Sequence, residues 1–327
     1  MNESARETIG IDLGGTKMLI GALEGTDVAW SRREASTDQT QDELVELIVR
    51  EIKVAREARP DAAAVGLGIP ATIDYERGVA VSAVNLPLSE LPIRDLVEEQ
   101  VGLPVFVDND ANVAALAEYM FGAARGMPHM VMLTVGTGIG GGLIMGGELY
   151  RGSTGAGAEL GHVVIQADGP PCQGNCPNHG CVESLASGTA LGREGLAAAE
   201  SAPHSALGKL LAEGKAVDGS AVTEAALAGD ATSIGVFELI GSRLGVACAS
   251  FANIFQPNAI VVGGGVIAAG DLLLEPARRE VRERALTPMN GTPILEATLG
   301  NDAGMIGAAA LARVELGRRD LAARTGG

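Results

Sequence analysis

Residues 9–23 read Ile-Gly-Ile-Asp-Leu-Gly-Gly-Thr-Lys-Met-Leu-Ile-Gly-Ala-Leu, which is an apolar segment, a polar glycine turn and a second apolar segment. Residues 130–149 repeat this order, with a glycine-rich turn at residues 136–142. Two short apolar segments joined by a tight glycine turn predict a β-hairpin. We therefore expect two related halves, each beginning with a hairpin whose exposed N–H groups can form a nest for an anion. Tight hairpins that bind no ligand are the alternative interpretation.

Residues 10–17 and 136–141 each match part of a common phosphate-binding motif, but neither matches it completely. Residues 10–17 have the G-x-x-x-x-G spacing of a P-loop, but Thr and Lys then follow in the reverse of the required order. Residues 136–141 have the spacing of the dinucleotide-binding motif. In both places a strand is predicted after the turn, whereas each motif needs a helix. We therefore expect any phosphate to bind the N–H groups of the hairpin turns themselves.

The rest of the chain alternates between predicted strands and helices, which is typical of an α/β protein. Thr40 and Glu43 form a capping box that opens the first helix. The predicted helices lie near residues 40–58, 111–121, 183–198, 205–213, 231–255, 271–286 and 302–316. Further strands are predicted at residues 64–69, 105–107, 259–262 and 293–296, followed by a frayed tail at 318–327. With 327 residues, the chain is expected to form two domains.

Composition and charge restrict the function classes. Hydrophobic residues make up 46% of the chain and charged residues 20%, as in an ordinary soluble enzyme. The formal net charge of −17 argues against nucleic acid or an anionic membrane as a partner. We expect no apolar stretch near the ~20 residues that span a bilayer, and residues 1–8 lack the apolar segment of a secretion signal. A cytoplasmic location is therefore expected.

One short segment concentrates the cysteines of the chain. Cys172, Cys176 and Cys181 follow closely after His162, although the whole chain contains only four cysteines and four histidines. Clustered cysteines without an export signal favour metal binding over disulfides. Three thiolates and one imidazole make a Cys3His set, which is typical of structural zinc. The fourth cysteine, Cys248, lies alone in an apolar helix, where we expect it to pack in the core.

Five motifs occur in one order along the chain: Asp12-Leu-Gly-Gly-Thr-Lys17, Asp108-Asn-Asp-Ala-Asn112, residues 136–142, Glu159-Leu-Gly-His162 and the cysteine cluster. Together they resemble the ROK family of bacterial sugar kinases and sugar-responsive repressors, over residues 9–316. The resemblance implies the two-lobed, actin-like α/β fold of hexokinases, which is ribonuclease H-like, with ATP and sugar in the cleft between the lobes. It implies a small lobe at residues 1–121, joined by the helix at 302–316, and a large lobe at 122–301 that carries the loop at 159–183.

The resemblance also implies the site residues. Asp110 is the implied catalytic base, which takes the proton from the 6-hydroxyl of the sugar. Helix capping is the alternative role, which Asp108 or Asn109 could also supply. The implied sugar-binding residues are Gly68, Asn85, Asn109, Asp110, Glu159, His162 and Glu183. The implied ATP-binding residues are Asp12, Gly14, Gly15, Thr16, Lys17, Gly136, Thr137, Gly138, Gly264 and Gly265. For the last two, glycines that only shape the backbone after a strand are the alternative.

Two metal ions follow from the same resemblance. Asp12 would orient a catalytic Mg²⁺ through water. His162 would bind a structural Zn²⁺ with one ring nitrogen, together with the three clustered cysteines, and direct the other nitrogen toward the sugar. The usual spacing in the family is Cys-x-Cys-x4-Cys, whereas the first interval here contains three residues. Because of this departure, His179 is an alternative to Cys172 as a zinc ligand.

ATP-dependent phosphorylation of a hexose is the implied function, with glucose as the first substrate to consider. N-acetylmannosamine, N-acetylglucosamine and fructose are the alternative substrates. A sugar-responsive repressor is disfavoured, since such regulators carry a DNA-binding domain before the first hairpin and only eight residues precede Ile9 here. A catalytically silent sugar-binding protein is disfavoured because Asp12, Asp110 and both turns are present. The expected assembly is a homo-oligomer, either a dimer or a tetramer.

Overall fold

The computed structural model describes residues 6–37 and 39–325. Its first half contains a five-stranded sheet, a small three-stranded sheet and three helices. These elements are β1 (Thr8–Leu13), β2 (Lys17–Glu24), β3 (Asp27–Ala35), α1 (Gln41–Ala58), β4 (Val65–Ile69), β5 (Ala71–Asp74), β6 (Val79–Ala83), β7 (Ser89–Leu91), α2 (Ile93–Val101), β8 (Val105–Asn109) and α3 (Asp110–Met120). The predicted capping box is confirmed at the start of α1, where Thr40 and Glu43 bond to each other's backbone N–H groups.

The second half contains another five-stranded sheet and most of the helices. Its elements are β9 (His129–Val135), β10 (Ile139–Met145), β11 (Glu148–Leu149), α4 (Val182–Ala186), α5 (Gly188–Ser201), α6 (Ala206–Ala212), α7 (Gly219–Leu227), α8 (Ala231–Phe255), β12 (Ala259–Gly263), α9 (Asp271–Arg284), β13 (Ile294–Glu296) and α10 (Ala303–Thr325). The alternation of strands and helices confirms the α/β prediction.

The two large sheets have the same topology. Their strand orders are β3-β2-β1-β4-β8 and β11-β10-β9-β12-β13, so corresponding strands occupy corresponding places. In each sheet the central strand forms an antiparallel hairpin with the strand that follows it and a parallel pair on its other side. The prediction of two related halves that each begin with a hairpin is confirmed.

Helices α3 and α10 join the two halves. α10 packs on β1 and β4 of the first sheet, and α3 packs against both α10 and β10 of the second sheet. At Gly66 in β4 there is no room for a side chain, because the Ala308 carbonyl group of α10 occupies the space. This close approach places the start of α10 beside the carboxyl end of β1. The functional candidates of the first half therefore face the second half.

Helix α8 forms the centre of the larger core. Phe237, Leu244 and Phe251 on α8 are almost completely buried, and Cys248 is 0% exposed, which confirms its expected packing role. By length and composition alone α8 could cross a membrane, although 56% of its most apolar window is buried within the structure. The expectation that no stretch approaches this length is therefore wrong. The burial of α8 between other helices of the core explains its apolar composition.

Several predicted boundaries are wrong. The predicted helix at 183–198 is two helices, because Ser187 adopts an extended conformation and caps the second one. The expected frayed tail at 318–327 instead continues α10 to Thr325, and residues 326–327 lie outside the described residues. At the start of this segment, Arg318 pairs with Glu315 at 2.8 Å and also with Glu148 of the second half.

The sequence patterns do not predict β3, the small sheet of β5–β7, α2 or α7. β3 is mostly exposed and charged, as is common for an edge strand, so it lacks the alternating apolar pattern that reveals a strand. The division into lobes at residues 121 and 122 stays a prediction.

Candidate active site

The first turn, between β1 and β2, is held in a tight conformation. The Gly14 N–H donates to the Lys17 carbonyl oxygen at 2.8 Å, and the Ser36 hydroxyl donates to the Gly14 carbonyl oxygen at 2.8 Å. The Ser36 N–H donates to the Thr16 carbonyl oxygen at 3.2 Å. Within residues 6–37 and 39–325, no acceptor is found for the N–H groups of Gly15 and Thr16 at the exposed tip. Two neighbouring free N–H groups of this kind suit an anion.

Asp12 lies near the end of β1, directly below this turn. The pKa of Asp12 is raised to about 7, chiefly by burial and also by the negative charge of Asp110, whereas the Lys17 ammonium group lowers it. Gly304, at the start of α10, packs so closely on the Asp12 carboxyl group that a side chain there would collide with it. A carboxyl group with a pKa this high gains most from a nearby cation, which would favour its ionised form.

Asn109 supplies the side-chain cap of α3. Its side-chain oxygen accepts hydrogen bonds from the N–H groups of Ala111 at 2.8 Å and Asn112 at 3.3 Å. Asp110 is the first residue of the helix, and its carboxylate accepts a second bond from the Ala111 N–H at 2.9 Å. Burial raises the pKa of Asp110. Because Asn109 already caps the helix, Asp110 is left as a half-buried carboxyl group suited to proton transfer.

Asp108 belongs to an ion-pair network that the sequence analysis missed. Its carboxylate accepts hydrogen bonds from Arg151 at 2.6 Å and from the Asn112 amide at 2.8 Å. The Arg151 guanidinium group also donates to Glu315 of α10 at 3.3 Å and lies 3.8 Å from the centre of the Tyr75 ring. Arg151 therefore joins the second half to β8 and α10 directly beside Asp110. No local motif reveals this network, because its members are far apart in the sequence.

The second turn, between β9 and β10, is braced by the start of α5. The Gly136 N–H donates to the Gly138 carbonyl oxygen at 2.9 Å, and the Gly188 N–H donates to the Gly136 carbonyl oxygen at 2.7 Å. The Thr137 carbonyl oxygen accepts a bond from the Thr189 hydroxyl at 2.9 Å. In the described part of the chain, the N–H groups of Thr137 and Gly138 have no acceptor. The second turn thus offers the same kind of anion nest as the first.

Glu159 and Glu183 bring two further acids to the site. The Glu183 carboxylate accepts a bond from the Ile139 N–H at 2.8 Å, directly after the second turn. Burial raises the pKa of Glu159; His162 lowers it, and the charges of Asp110 and Glu183 raise it. The Nε2 atom of His162 lies 4.0 Å from a Glu159 oxygen. Because Asp110 also acts on Asp12, these acids form one electrostatic group that includes residues from both halves.

The four predicted zinc ligands lie together. The donor atoms of His162, Cys172, Cys176 and Cys181 are all within 4.8 Å of one another. His162 Nδ1 is 3.5 Å from Cys172 Sγ, and the Sγ atoms of Cys176 and Cys181 are 3.9 Å apart. Zinc bond lengths of about 2.3 Å to sulfur and about 2.0 Å to nitrogen give tetrahedral edges of roughly 3.5–3.8 Å. The donor set therefore fits a tetrahedral zinc ion, and His179 contacts the Gly169 carbonyl oxygen at 3.3 Å instead.

Gly68 and Asn85 lie next to the first-half residues of this group. Gly68 is paired in register with Asp12 on one side and with Asp108 on the other. Asn85 lies against the first turn, since a methyl group added to Gly15 would be 3.5 Å from its Cβ atom. Gly68 is therefore close to the carboxyl ends of β1 and β8, and Asn85 is close to the turn that follows β1.

Gly264 and Gly265 follow β12, and their environments differ. Gly264 has a φ of 90°, and the Val135 backbone at the end of β9 leaves no room for a side chain there. Gly265 has open space around it. Close packing against β9 is enough to explain why position 264 requires a glycine. No such packing requires a glycine at position 265.

Known proteins resemble this chain over nearly its whole length. The model of the ROK family matches residues 8–315. A glucokinase of Streptomyces coelicolor is 37% identical over 94% of this chain and 97% of its own, and one of Thermotoga maritima is 35% identical over 94% and 98%. The crystal structure of a ROK family glucokinase from Streptomyces griseus, in complex with glucose and AMPPNP, matches with a TM-score of 0.82 at 37% identity, covering 94% of this chain and 99% of that one. This two-lobed, actin-like protein belongs to the ROK family.

Proposed function

We propose that this protein transfers the γ-phosphoryl group of ATP to the 6-hydroxyl group of glucose. One observation carries the proposal: the charge of Asp110 acts both on Asp12, below the first turn, and on Glu159, beside His162. The proposed phosphate-binding region and the proposed hydroxyl-binding region thus meet at the half-buried carboxyl group of Asp110. Glucose is chosen as the substrate because relatives of this chain are glucokinases.

Asp110 is the catalytic base in this proposal. Phosphoryl transfer requires the attacking hydroxyl to be held in line and its proton to be accepted. Burial raises the pKa of Asp110, which brings its proton affinity closer to that needed for a base at neutral pH. The hydrogen bonds of Asn109 and Asp110 to the first turn of α3 fix the direction of this carboxylate.

Both turns would bind the phosphates of ATP through backbone N–H groups. Gly15 and Thr16 supply them in the first turn, and Thr137 and Gly138 in the second. Lys17 adds a positive charge near the first turn, and Gly264 and Gly265 lie on the adenosine side. Mg²⁺ would neutralise phosphate charge, and Asp12 would hold it through water.

The sugar would bind between Glu159, Glu183 and His162 on one side and Asn109 and Asn85 on the other, with the Gly68 backbone nearby. Carboxylates accept hydrogen bonds from adjacent hydroxyl groups, and an amide can donate and accept at once. Asn109 uses its oxygen to cap α3 and one amide hydrogen to bond the Ala71 carbonyl oxygen at 3.3 Å. We therefore expect Asn109 to contact the sugar as a donor.

Structural zinc would hold the sugar-binding loop rigid. The ligands would be His162 Nδ1 and the three cysteines at 172, 176 and 181, which leaves the Nε2 side of His162 directed toward Glu159. Metal analysis should find one zinc per chain. Cys176→Ser should lose the metal and weaken glucose binding at least tenfold, within the range seen when metal sites are disturbed. Full glucose binding by a metal-free protein would contradict this role.

A coupled ATP-consumption assay tests the function. Glucose, mannose, fructose, N-acetylglucosamine and N-acetylmannosamine are compared at matched concentrations, and we expect the highest kcat/KM with glucose. A preference for either acylated amino sugar or for fructose would replace glucose as the substrate while leaving the kinase chemistry intact. Absence of turnover with all five sugars would contradict the proposal.

We further propose a cytoplasmic location and a homo-oligomeric assembly, a dimer or a tetramer. The net charge of −17 gives no support to nucleic acid as a partner. Light scattering on the purified protein would measure its mass, and a monomer at micromolar concentration would contradict the assembly.

A further inference from the structure

The first cysteine interval contains Gln173, Gly174 and Asn175, two residues more than the spacing in the family pattern. We call these three residues the long interval. A zinc ion needs only the cysteines on either side, so the additional residues are not required for metal binding. Their contacts with the rest of the protein can therefore indicate a role other than metal binding.

Gln173 connects the long interval to the second turn. Its side-chain amide donates to the Thr137 carbonyl oxygen at 3.3 Å and to the Ser187 hydroxyl at 3.2 Å. Ser187 caps α5 by accepting a bond from the Ala190 N–H at 3.3 Å. One side chain of the cysteine loop thus bonds both to the proposed phosphate turn and to the cap of the helix that braces it.

Gly174 connects the long interval to the first half. A methyl group added to Gly174 would lie 3.2 Å from Cγ1 of Val84. Val84 is 64% exposed, and its neighbour Asn85 lies against Gly15 of the first turn. The first turn, residues 84–85 and the long interval therefore lie next to one another, and Gln173 bonds the long interval to the second turn.

We propose that the long interval couples sugar binding to nucleotide binding, with Gln173 as the positioning residue. This inference rests on the proposed function. Sugar bound between Asn85 and the cysteine loop holds residues 84–85 against Gly174, which keeps Gln173 in hydrogen-bonding position below Thr137. The second turn is then fixed with its N–H groups ready for phosphate. Because coupling between two binding sites is reciprocal, nucleotide tightens sugar binding by the same factor.

Calorimetric titration of a non-hydrolysable ATP analogue, with and without saturating glucose, tests the coupling without turnover. For the wild-type protein the ratio of the two dissociation constants should exceed about five, the lower end of ordinary coupling factors. Gln173→Ala should reduce this ratio about fivefold, the effect of losing the one neutral hydrogen bond that joins Gln173 to the second turn itself. Gln173→Glu keeps the shape of the side chain but loses the amide donor, so it should reduce the ratio at least as much.

Asn175→Ala is the matched control. Asn175 lies in the same interval, is exposed, and forms no side-chain hydrogen bond with the described residues. It should keep the wild-type ratio, and all variants should keep one zinc per chain and bind glucose alone with wild-type affinity. In steady-state kinetics, Gln173→Ala should raise the KM for ATP more than it lowers kcat.

Glucose phosphorylation by the same wild-type preparation is measured first, which separates the two proposals. An active wild-type enzyme whose ratio is one, or whose ratio is unchanged by Gln173→Ala, overturns the coupling alone. An inactive wild-type enzyme that binds no glucose overturns the proposed function and this inference with it. Loss of zinc in Gln173→Ala would also overturn the inference, because the residue would then act through the metal.

Discussion

The two hairpin turns occupy equivalent places in sheets of the same topology, yet their surroundings differ. The first turn is held by one side chain, Ser36, and lies above the carboxyl group of Asp12. The second turn is held by the start of α5 and by several side chains, among them Thr189. Counting back from the first glycine of each turn, Thr134 occupies the position that Asp12 has in the first half.

The acidic residues of the proposed site and the hydrogen bonds that hold a turn in place are thus concentrated in different halves. In both turns two N–H groups find no acceptor among the described residues, so either backbone can hold a phosphate. Asp12 and Asp110, the acids proposed for Mg²⁺ and for proton transfer, both belong to the first half. The second half offers a more firmly braced turn and the cysteine loop. Two sheets of the same topology thus differ in their side chains: the proposed catalytic carboxylates lie in the first half, and the more firmly braced turn lies in the second.

Removing the proposed base should have the largest effect. Asp110→Asn keeps the size of the side chain but cannot accept the hydroxyl proton, so kcat should fall about 10²–10⁴-fold. Glucose affinity, measured by calorimetry, should change only a few-fold. Asp61→Asn, an exposed control without side-chain hydrogen bonds to the described residues, should remain fully active. Turnover of Asp110→Asn near the wild-type rate would refute the assignment.

Breaking the ion-pair network of Arg151, which links the two halves, should have the next largest effect, and this effect is on stability. Arg151→Ala leaves Asp108 buried without its positive partner, so the free energy of unfolding should fall by about 3–5 kcal/mol. Urea denaturation measures this change, and Arg151→Lys should recover part of the loss. Arg125→Ala is the control, because Arg125 is exposed and forms no side-chain bond with the described residues. Equal stability of the two alanine variants would contradict the role of this network.

Local patterns made much of the fold predictable. The hairpins, the capping box at Thr40 and the cysteine cluster each depend on residues close together in the sequence, and all three are found in the structure. The loop at 159–183 is of this kind, because its four proposed metal ligands lie within 20 residues of one another.

Contacts between distant segments could not be predicted in this way. Arg151 lies 43 residues from Asp108 and 164 from Glu315, so no spacing rule brings them together. The same reason explains the wrong prediction at the C-terminus. Arg318 has an ordinary helical partner in Glu315, but its second partner, Glu148, is known only once the chain has folded.

The pH dependence of stability in Asp12→Asn tests the raised pKa of the Asp12 carboxyl group in the first half. Burial raises the pKa of Asp12 from 3.8 to about 7, so the folded protein binds this proton more tightly than the unfolded chain. The wild-type protein therefore loses stability as pH rises from about 4 to about 7, whereas an asparagine does not ionise. Without Mg²⁺ and nucleotide, Asp12→Asn should be more stable by about 2 kcal/mol at pH 8, after allowance for solvent screening.

The two proteins should have similar stability at pH 4. Thermal unfolding across this pH range provides the measurement, and a stability difference that does not grow with pH would contradict the raised pKa.

The bracing of the two turns should give the smallest effects. Ser36→Ala removes the side-chain hydrogen bond to Gly14 and should raise the KM for ATP about fivefold, as for the loss of one neutral hydrogen bond. Thr189→Ala removes a similar bond from the second turn, but Gly188 and Gln173 still hold it, so its effect should be smaller. Steady-state kinetics measure the KM for ATP of both variants. A larger increase in Thr189→Ala than in Ser36→Ala would contradict the conclusion that the second turn is the more firmly braced.

The most direct test of the account is a crystal structure of the protein with glucose and a non-hydrolysable ATP analogue. We expect an oxygen of Asp110 within about 2.6–3.2 Å of the glucose 6-hydroxyl group, the distance required of a general base. The phosphates should lie between the first and second turns. A 6-hydroxyl group directed away from Asp110, with another carboxylate in reach, would contradict the central claim.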